Sequence, residues 1–88
     1  NRPERNNAYN AELVQALLDT FDTLAGDHRV RLVVIRGNGR HFQAGADLNW
    51  LAAVAGQDEA ANLETSRRTA LVVRGLNEFP KPTIALIH

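Results

Sequence analysis

Apolar residues along this 88-residue chain fall into blocks with different spacings. In the first, Leu13, Leu17, Phe21 and Leu24 recur at intervals of four, four and three, which is one face of an α-helix. Asn10 stands ahead of this block, with Glu12 just inside it. An Asn side chain can accept from a first-turn amide, and the helix dipole favours an acid there. Gly26 predicts the stop. The second block is VRLVVIRG, residues 30–37. Its Val30, Leu32, Val33, Val34 and Ile35 lack the alternation of a half-exposed strand, and so predict a strand buried on both faces under covering helices. After GNGR, the run LNWLAAVA (48–55) predicts a short helix. Asp58 and Glu59 open a longer one reaching about Phe79, with Ala60, Leu63, Ala70, Val73 and Leu76 on or near one stripe. PKP ends it, because proline cannot continue a helix. TIALIH (83–88) predicts a second buried strand.

Helix, strand, helix, strand is the order of an α/β layered protein. A strand, a long crossover and another strand predict a parallel pair. In open α/β sheets ligands bind beyond the carboxyl ends of the strands. GNGRHFQAGADL, residues 37–48, lies just there.

Composition narrows the functions open to such a chain. Ten basic side chains balance ten acidic ones, so no overall field favours nucleic acid or an anionic membrane, and neither is expected as a partner. The absence of cysteine excludes a disulfide framework and thiolate metal sites. No apolar run approaches the roughly 20 residues that cross a bilayer. His28, His41 and His88 lack metal-ligand spacing, so no metal site is expected. Ser66, the only serine, sits mid-helix with no nucleophile-elbow glycines around it. GNGR lacks the lysine and spacing of a phosphate-cradling loop.

That leaves HFQAGADLNW, residues 41–50. Small residues matter where backbone must come close to something else. Ala44, Gly45 and Ala46 leave the main chain accessible, and Asp47 and Leu48 begin a helical turn. Two readings share these residues. In one, this is a tight strand-to-helix turn in which Gly45 takes a special backbone angle and Asp47 caps the helix. In the other, amides at the helix start, which have no internal partner, receive negative charge such as a developing oxyanion.

A resemblance separates the two. NRPERNNA is similar to the N-R-P-x-x-x-N-A turn that precedes the first long helix of the enoyl-CoA hydratase/isomerase, or crotonase, family. DHRVRLVVIRGNGRHFQAGADL resembles its D-x-x-V-R-V-V-V-L-x-G-x-G-x-x-F-x-A-G-A-D-L block. LNEFPKPTIA resembles its L-x-x-x-P-K-P-x-I-A strand entry. The resemblance covers nearly the whole chain, in family order.

The resemblance implies a crotonase-like β-β-α superhelix, with residues 1–88 as the N-terminal portion of a single domain of that kind. It implies an enzyme that polarises an acyl-CoA carbonyl between two backbone N–H groups and stabilises an enolate. Ala46 matches the first of these donors. Ala44, Gly45, Asp47 and Leu48 match the coenzyme A-binding turn, and Arg5 lies where the family touches coenzyme A from its first loop. Gln43 stands where the family commonly has a small residue. The second donor and the two acids that hydratases use match positions after His88, so residues 1–88 carry half of the oxyanion hole and none of the acid–base groups. The expected reaction is enoyl-CoA hydration, with isomerisation, decarboxylation, thioester hydrolysis or non-catalytic coenzyme A binding, all of which share this half, as alternatives. No tightly bound cofactor is implied, since coenzyme A enters as part of the thioester substrate. The family's assemblies imply a homotrimer or a hexamer of two trimers. A cytoplasmic location is expected, with the mitochondrial matrix as the alternative.

Overall fold

Asn10 opens the first helix as its position predicts: its side chain accepts the Leu13 N–H at 3.0 Å, and helix α1 runs Ala11–Gly26. The computed structural model, which describes residues 1–88, continues with strand β1 (Val33–Arg36), helix α2 (Leu48–Ala55), helix α3 (Glu59–Asn77) and strand β2 (Thr83–Leu86). A single 3-10 turn, Pro3–Arg5, precedes them. β1 and β2 pair in parallel, Val33 beside Thr83 through Arg36 beside Leu86, so α2 and α3 form the crossover between neighbouring strands. The α/β order and the parallel pairing are as the sequence predicts. Both strands are shorter than the apolar runs that announce them.

Helix α1 uses the predicted stripe. Phe21 is buried, and Leu13, Leu17 and Leu24 are half-buried around it. Val14, which lies beside the stripe, is 4% exposed and is the most buried residue of the chain. Phe21 also meets Phe79 at a ring separation of 5.9 Å, joining α1 to the end of α3. Lys81, in the PKP turn, donates from Nζ to Leu24 O at 2.7 Å and Asp27 O at 2.5 Å. An ammonium suits the C-terminal end of α1, where the helix dipole favours a cation, and the two carbonyls also accept an amide each, from Asp27 and Val30.

Two expectations are overturned. The strands are not buried on both faces: β1 alternates half-buried and exposed residues, and all four residues of β2 are exposed. Within these residues α1 faces β1 across a groove and leaves β2 exposed. The predicted apolar stripe of α3 is also not its packed face, since Leu63 is 71% and Val73 67% exposed. Half-buried positions instead include Ala61, Thr65, Arg68, Val72 and Gly75, with Phe79 just past the helix. They too follow helical spacing, so α3 carries two stripes. α1 selects the thinner one, because Phe21 packs against the helix where Gly75 has no side chain.

Gly26 stops α1 differently from the expectation. It is the last helical residue, its φ is not positive, and Asp27 in extended conformation caps the end. No helix is long and apolar enough to cross a membrane.

Candidate active site

The stretch NRPERNN, polar but for one proline, is the frame on which the AGAD turn is held. Asn6 and Asn7 have φ of 52° and 59°, left-handed angles that Asn tolerates better than most residues. The Asn7 side chain accepts the Arg2 N–H at 2.8 Å and donates to Asn38 O at 2.8 Å and His41 O at 2.6 Å. It thereby ties the N-terminal turn to the loop after β1. Gly37 is glycine for this reason: a Cβ there would stand 2.7 Å from Asn7 Nδ2 and 2.8 Å from Phe42 O. Arg2 then donates from one guanidinium nitrogen to Ala8 O at 2.6 Å and to Asp47 Oδ2 at 3.1 Å.

Asp47 is 7% exposed and fully engaged. Its Oδ1 accepts the Asn49 and Trp50 amides at 2.9 and 3.1 Å, capping α2. The Trp50 amide is the main cause holding its carboxyl below the ordinary carboxylate value, with the Arg2 and Asn49 donors acting in the same direction and burial opposing them. The cap reading of Asp47 therefore holds. It also changes where a free donor can be, because those two amides at the start of α2 are already taken.

The free donor lies just ahead of the cap. Tyr9 pairs with Ala46 as in a parallel sheet: Tyr9 N–H donates to Gly45 O and Asp47 N–H to Tyr9 O, both at 2.8 Å. Gly45 N–H donates to Gln43 Oε1 at 2.6 Å. The amides on either side of Ala46 are engaged, whereas the Ala46 N–H donates to no group of the chain. Gly45 has φ of 85°, the left-handed angle that suits glycine, and a Cβ on it would meet nothing within 4 Å.

Arg5, Ala44, Ala46, Asp47 and Leu48 line one cleft of about 390 Å³, together with Glu4, Asn6, Ala8 and Asn49. Five of the six predicted site residues thus converge, although Arg5 is some forty positions away in sequence. Gly45 does not line the cleft and acts through its backbone angle. The Arg5 side chain makes no ion pair in the chain, and Leu48 is 80% exposed. Sequence reasoning gave no role to Arg2, Asn7 and Tyr9, which do not line the cleft but hold together the segments that do. The N-R-P-x-x-x-N-A resemblance, which includes Arg2 and Asn7, was the sequence signal for two of them.

Two other hollows differ in chemistry. An apolar groove of about 410 Å³ between α1 and β1 contains none of the predicted site residues. A groove of about 390 Å³ between α2 and α3 is lined by Trp50, Leu51, Val54 and Val73 among others, and Trp50 meets Tyr9 edge to face at 5.6 Å. His88 Nε2 lies 3.0 Å from Gly37 O, a structural contact in keeping with a loop histidine. No three His, Asp or Glu side chains gather in a way that could hold a metal ion.

A sequence model of the enoyl-CoA hydratase/isomerase family matches residues 1–88 in full. The chain belongs to the enoyl-CoA hydratase/isomerase family. It is 41% identical over 88 residues to 2,3-dehydroadipyl-CoA hydratase of Escherichia coli, covering all of this chain and 32% of that protein. It is 33% identical over 96 residues to the mitochondrial Delta(3,5)-Delta(2,4)-dienoyl-CoA isomerase of Mus musculus, covering 29% of it. An enoyl-CoA hydratase structure from Shewanella pealeana superposes with a TM-score of 0.95 at 30% identity, over 99% of this chain and 33% of that one. The fold is therefore that of the enoyl-CoA hydratases, of which this α/β unit spans about a third.

Proposed function

We propose that the Ala46 amide is an oxyanion-hole donor and that this chain is the N-terminal portion of an acyl-CoA enzyme, an enoyl-CoA hydratase in its first reading. The observation that carries the proposal is one unengaged backbone N–H, between two engaged ones, on a cleft that Arg5 shares. A thioester carbonyl oxygen accepts from it at about 3 Å, and the bond strengthens as negative charge develops on that oxygen. One such donor contributes roughly 3 kcal/mol to transition-state stabilisation. In hydration, water's oxygen adds to the β-carbon and a proton to the α-carbon of the 2-enoyl thioester, through an enolate held at the donor.

Ala44, Gly45, Asp47 and Leu48 form the turn against which coenzyme A lies. Asp47 serves it through its backbone and its cap, because its carboxylate is already bound to Arg2 and α2. The unpaired Arg5 guanidinium suits a phosphate oxygen of coenzyme A. Coenzyme A belongs to the substrate in this reading, and no tightly bound cofactor takes part. The second donor and the acid–base groups come from residues outside 1–88. We also propose a homotrimer or a hexamer of two trimers in the cytoplasm.

Steady-state assay of the full-length protein on short 2-enoyl-CoA thioesters tests this, following loss of the conjugated thioester's ultraviolet absorbance. Turnover with a 3-hydroxyacyl-CoA product supports it. Failure to bind or convert any acyl-CoA overturns it. Similarity to a dienoyl-CoA isomerase favours double-bond isomerisation as a second reading, which the same assay separates by its product.

A further inference from the structure

Gln43 reaches back into the turn that carries the candidate donor. Two peptide planes flank Gly45. The one before it carries the Gly45 N–H, which Gln43 Oε1 accepts at 2.6 Å. The one after it carries Gly45 O, which accepts the Tyr9 N–H at 2.8 Å, and also the Ala46 N–H. All peptide bonds of the chain are trans, so Gly45 O and the Ala46 N–H point in opposite directions. Holding Gly45 O on Tyr9 therefore aims the Ala46 amide away from Tyr9. Glycine crosses between conformations more easily than any other residue, so one pinned plane leaves this aim loose. With both planes pinned, both backbone dihedrals of Gly45 are set.

We propose that Gln43 is a positioning residue for the Ala46 amide: its side-chain oxygen holds the plane before Gly45 while Tyr9 holds the plane after it. The proposal rests on the reading of the cleft given above. Gln43 is exposed and does not line the cleft with Ala46, so it acts through the turn and not by touching substrate. A small residue at this position cannot reach the Gly45 amide in this way.

The test uses the full-length protein and two variants. Gln43→Met keeps the length and removes the acceptor, and Gln43→Glu keeps an acceptor at the same reach. Site-resolved amide hydrogen exchange is measured at Gly45 and Ala46, alongside kcat and KM on an enoyl-CoA thioester. In Gln43→Met we expect Gly45 to exchange about two- to tenfold faster, the factor that one modest hydrogen bond carries. Ala46 exchange shifts with it, and kcat falls by a similar factor while KM holds. In Gln43→Glu, Gly45 exchange returns to the wild-type rate. Equal Gly45 exchange in wild type and Gln43→Met overturns the contact. Faster Gly45 exchange with Ala46 exchange and kcat both unchanged overturns the positioning role. A wild type without turnover sinks the reading of the cleft, and the two exchange rates then decide the role of Gln43 without it.

Discussion

Gly45 and Asp47 stand two residues apart and do opposite things. Gly45 supplies a backbone angle and Asp47 a fully bonded side chain. At Gly45 a Cβ has free space within the chain, so the cost of a substitution is conformational: a β-branched residue at φ of 85° is strained. We predict that Gly45→Val lowers stability by about 1–2 kcal/mol. Relief of that strain turns the Ala46 amide, so turnover of acyl-CoA should fall at least about tenfold at matched folded fraction. Equal rates for wild type and variant would show that the turn does not set the donor. At Asp47 the prediction concerns pH. Its folded-state pKa lies below its ordinary value of 3.8, so its contribution is fully present above that value. It is lost as pH falls through the folded pKa. Denaturant midpoints of the full-length protein should therefore drop on acidification below about pH 4. Asp47→Asn should show a lower neutral-pH midpoint and a shallower acid limb. Parallel curves for the two would exclude Asp47 as a contributor.

Helix α3 shows why an element's packed face is not settled by its most apolar stripe. Leu63, Ala70 and Val73 form the more apolar line, yet Thr65, Val72, Gly75 and Phe79 turn inward. The contact with α1 rewards closeness, and Phe21 comes close to the helix at Gly75. A Cβ on Gly75 would stand 3.4 Å from Phe21 Cδ2, at the near edge of ordinary contact, and Gly75 has no positive φ to protect. We predict that Gly75→Ala stabilises the protein by up to about 1 kcal/mol through helix propensity and reduced unfolded-state freedom. Thermal and urea unfolding check this, and a destabilised Gly75→Ala would mean that the α1–α3 contact has no slack. α1 was legible from its spacing and cap because one stripe dominates it. α3 was legible in extent, through Asp58 and PKP, but not in orientation.

At the scale of the molecule, five of 88 residues are buried. The chain exposes 6336 Å², where a folded monomer of 9.7 kDa exposes about 5,100 Å². Its radius of gyration is 14.1 Å, against about 12 Å for a domain of this length. Val34, Ile84, Leu86 and Ile87 on and beside the strands stand open to solvent, and an uncovered apolar sheet recruits whatever can cover it. We predict that residues 1–88 expressed alone aggregate or remain partly unfolded. Size exclusion and circular dichroism decide the matter, and a soluble monomer with a sharp cooperative melt would overturn it. The same uncovered faces agree with the proposed trimer or hexamer of the full-length protein, which light scattering measures directly.

The sequence by itself determined the elements, their order and the chemistry of the turn. Asn10, Asp58, the prolines and the helical periodicity act locally, and A-G-A-D carries its small backbone and its cap in consecutive residues. Tertiary structure decided the rest, because it depends on which residues meet. Tyr9 takes the bonds on either side of Ala46 and leaves its amide free. Arg5 reaches the same cleft from the N-terminal turn. Asn7 and Arg2 hold the two segments together, and α1 chooses one of two stripes on α3. None of these pairings has a signature in spacing, since each is set by a hydrogen bond or a close contact between residues tens of positions apart.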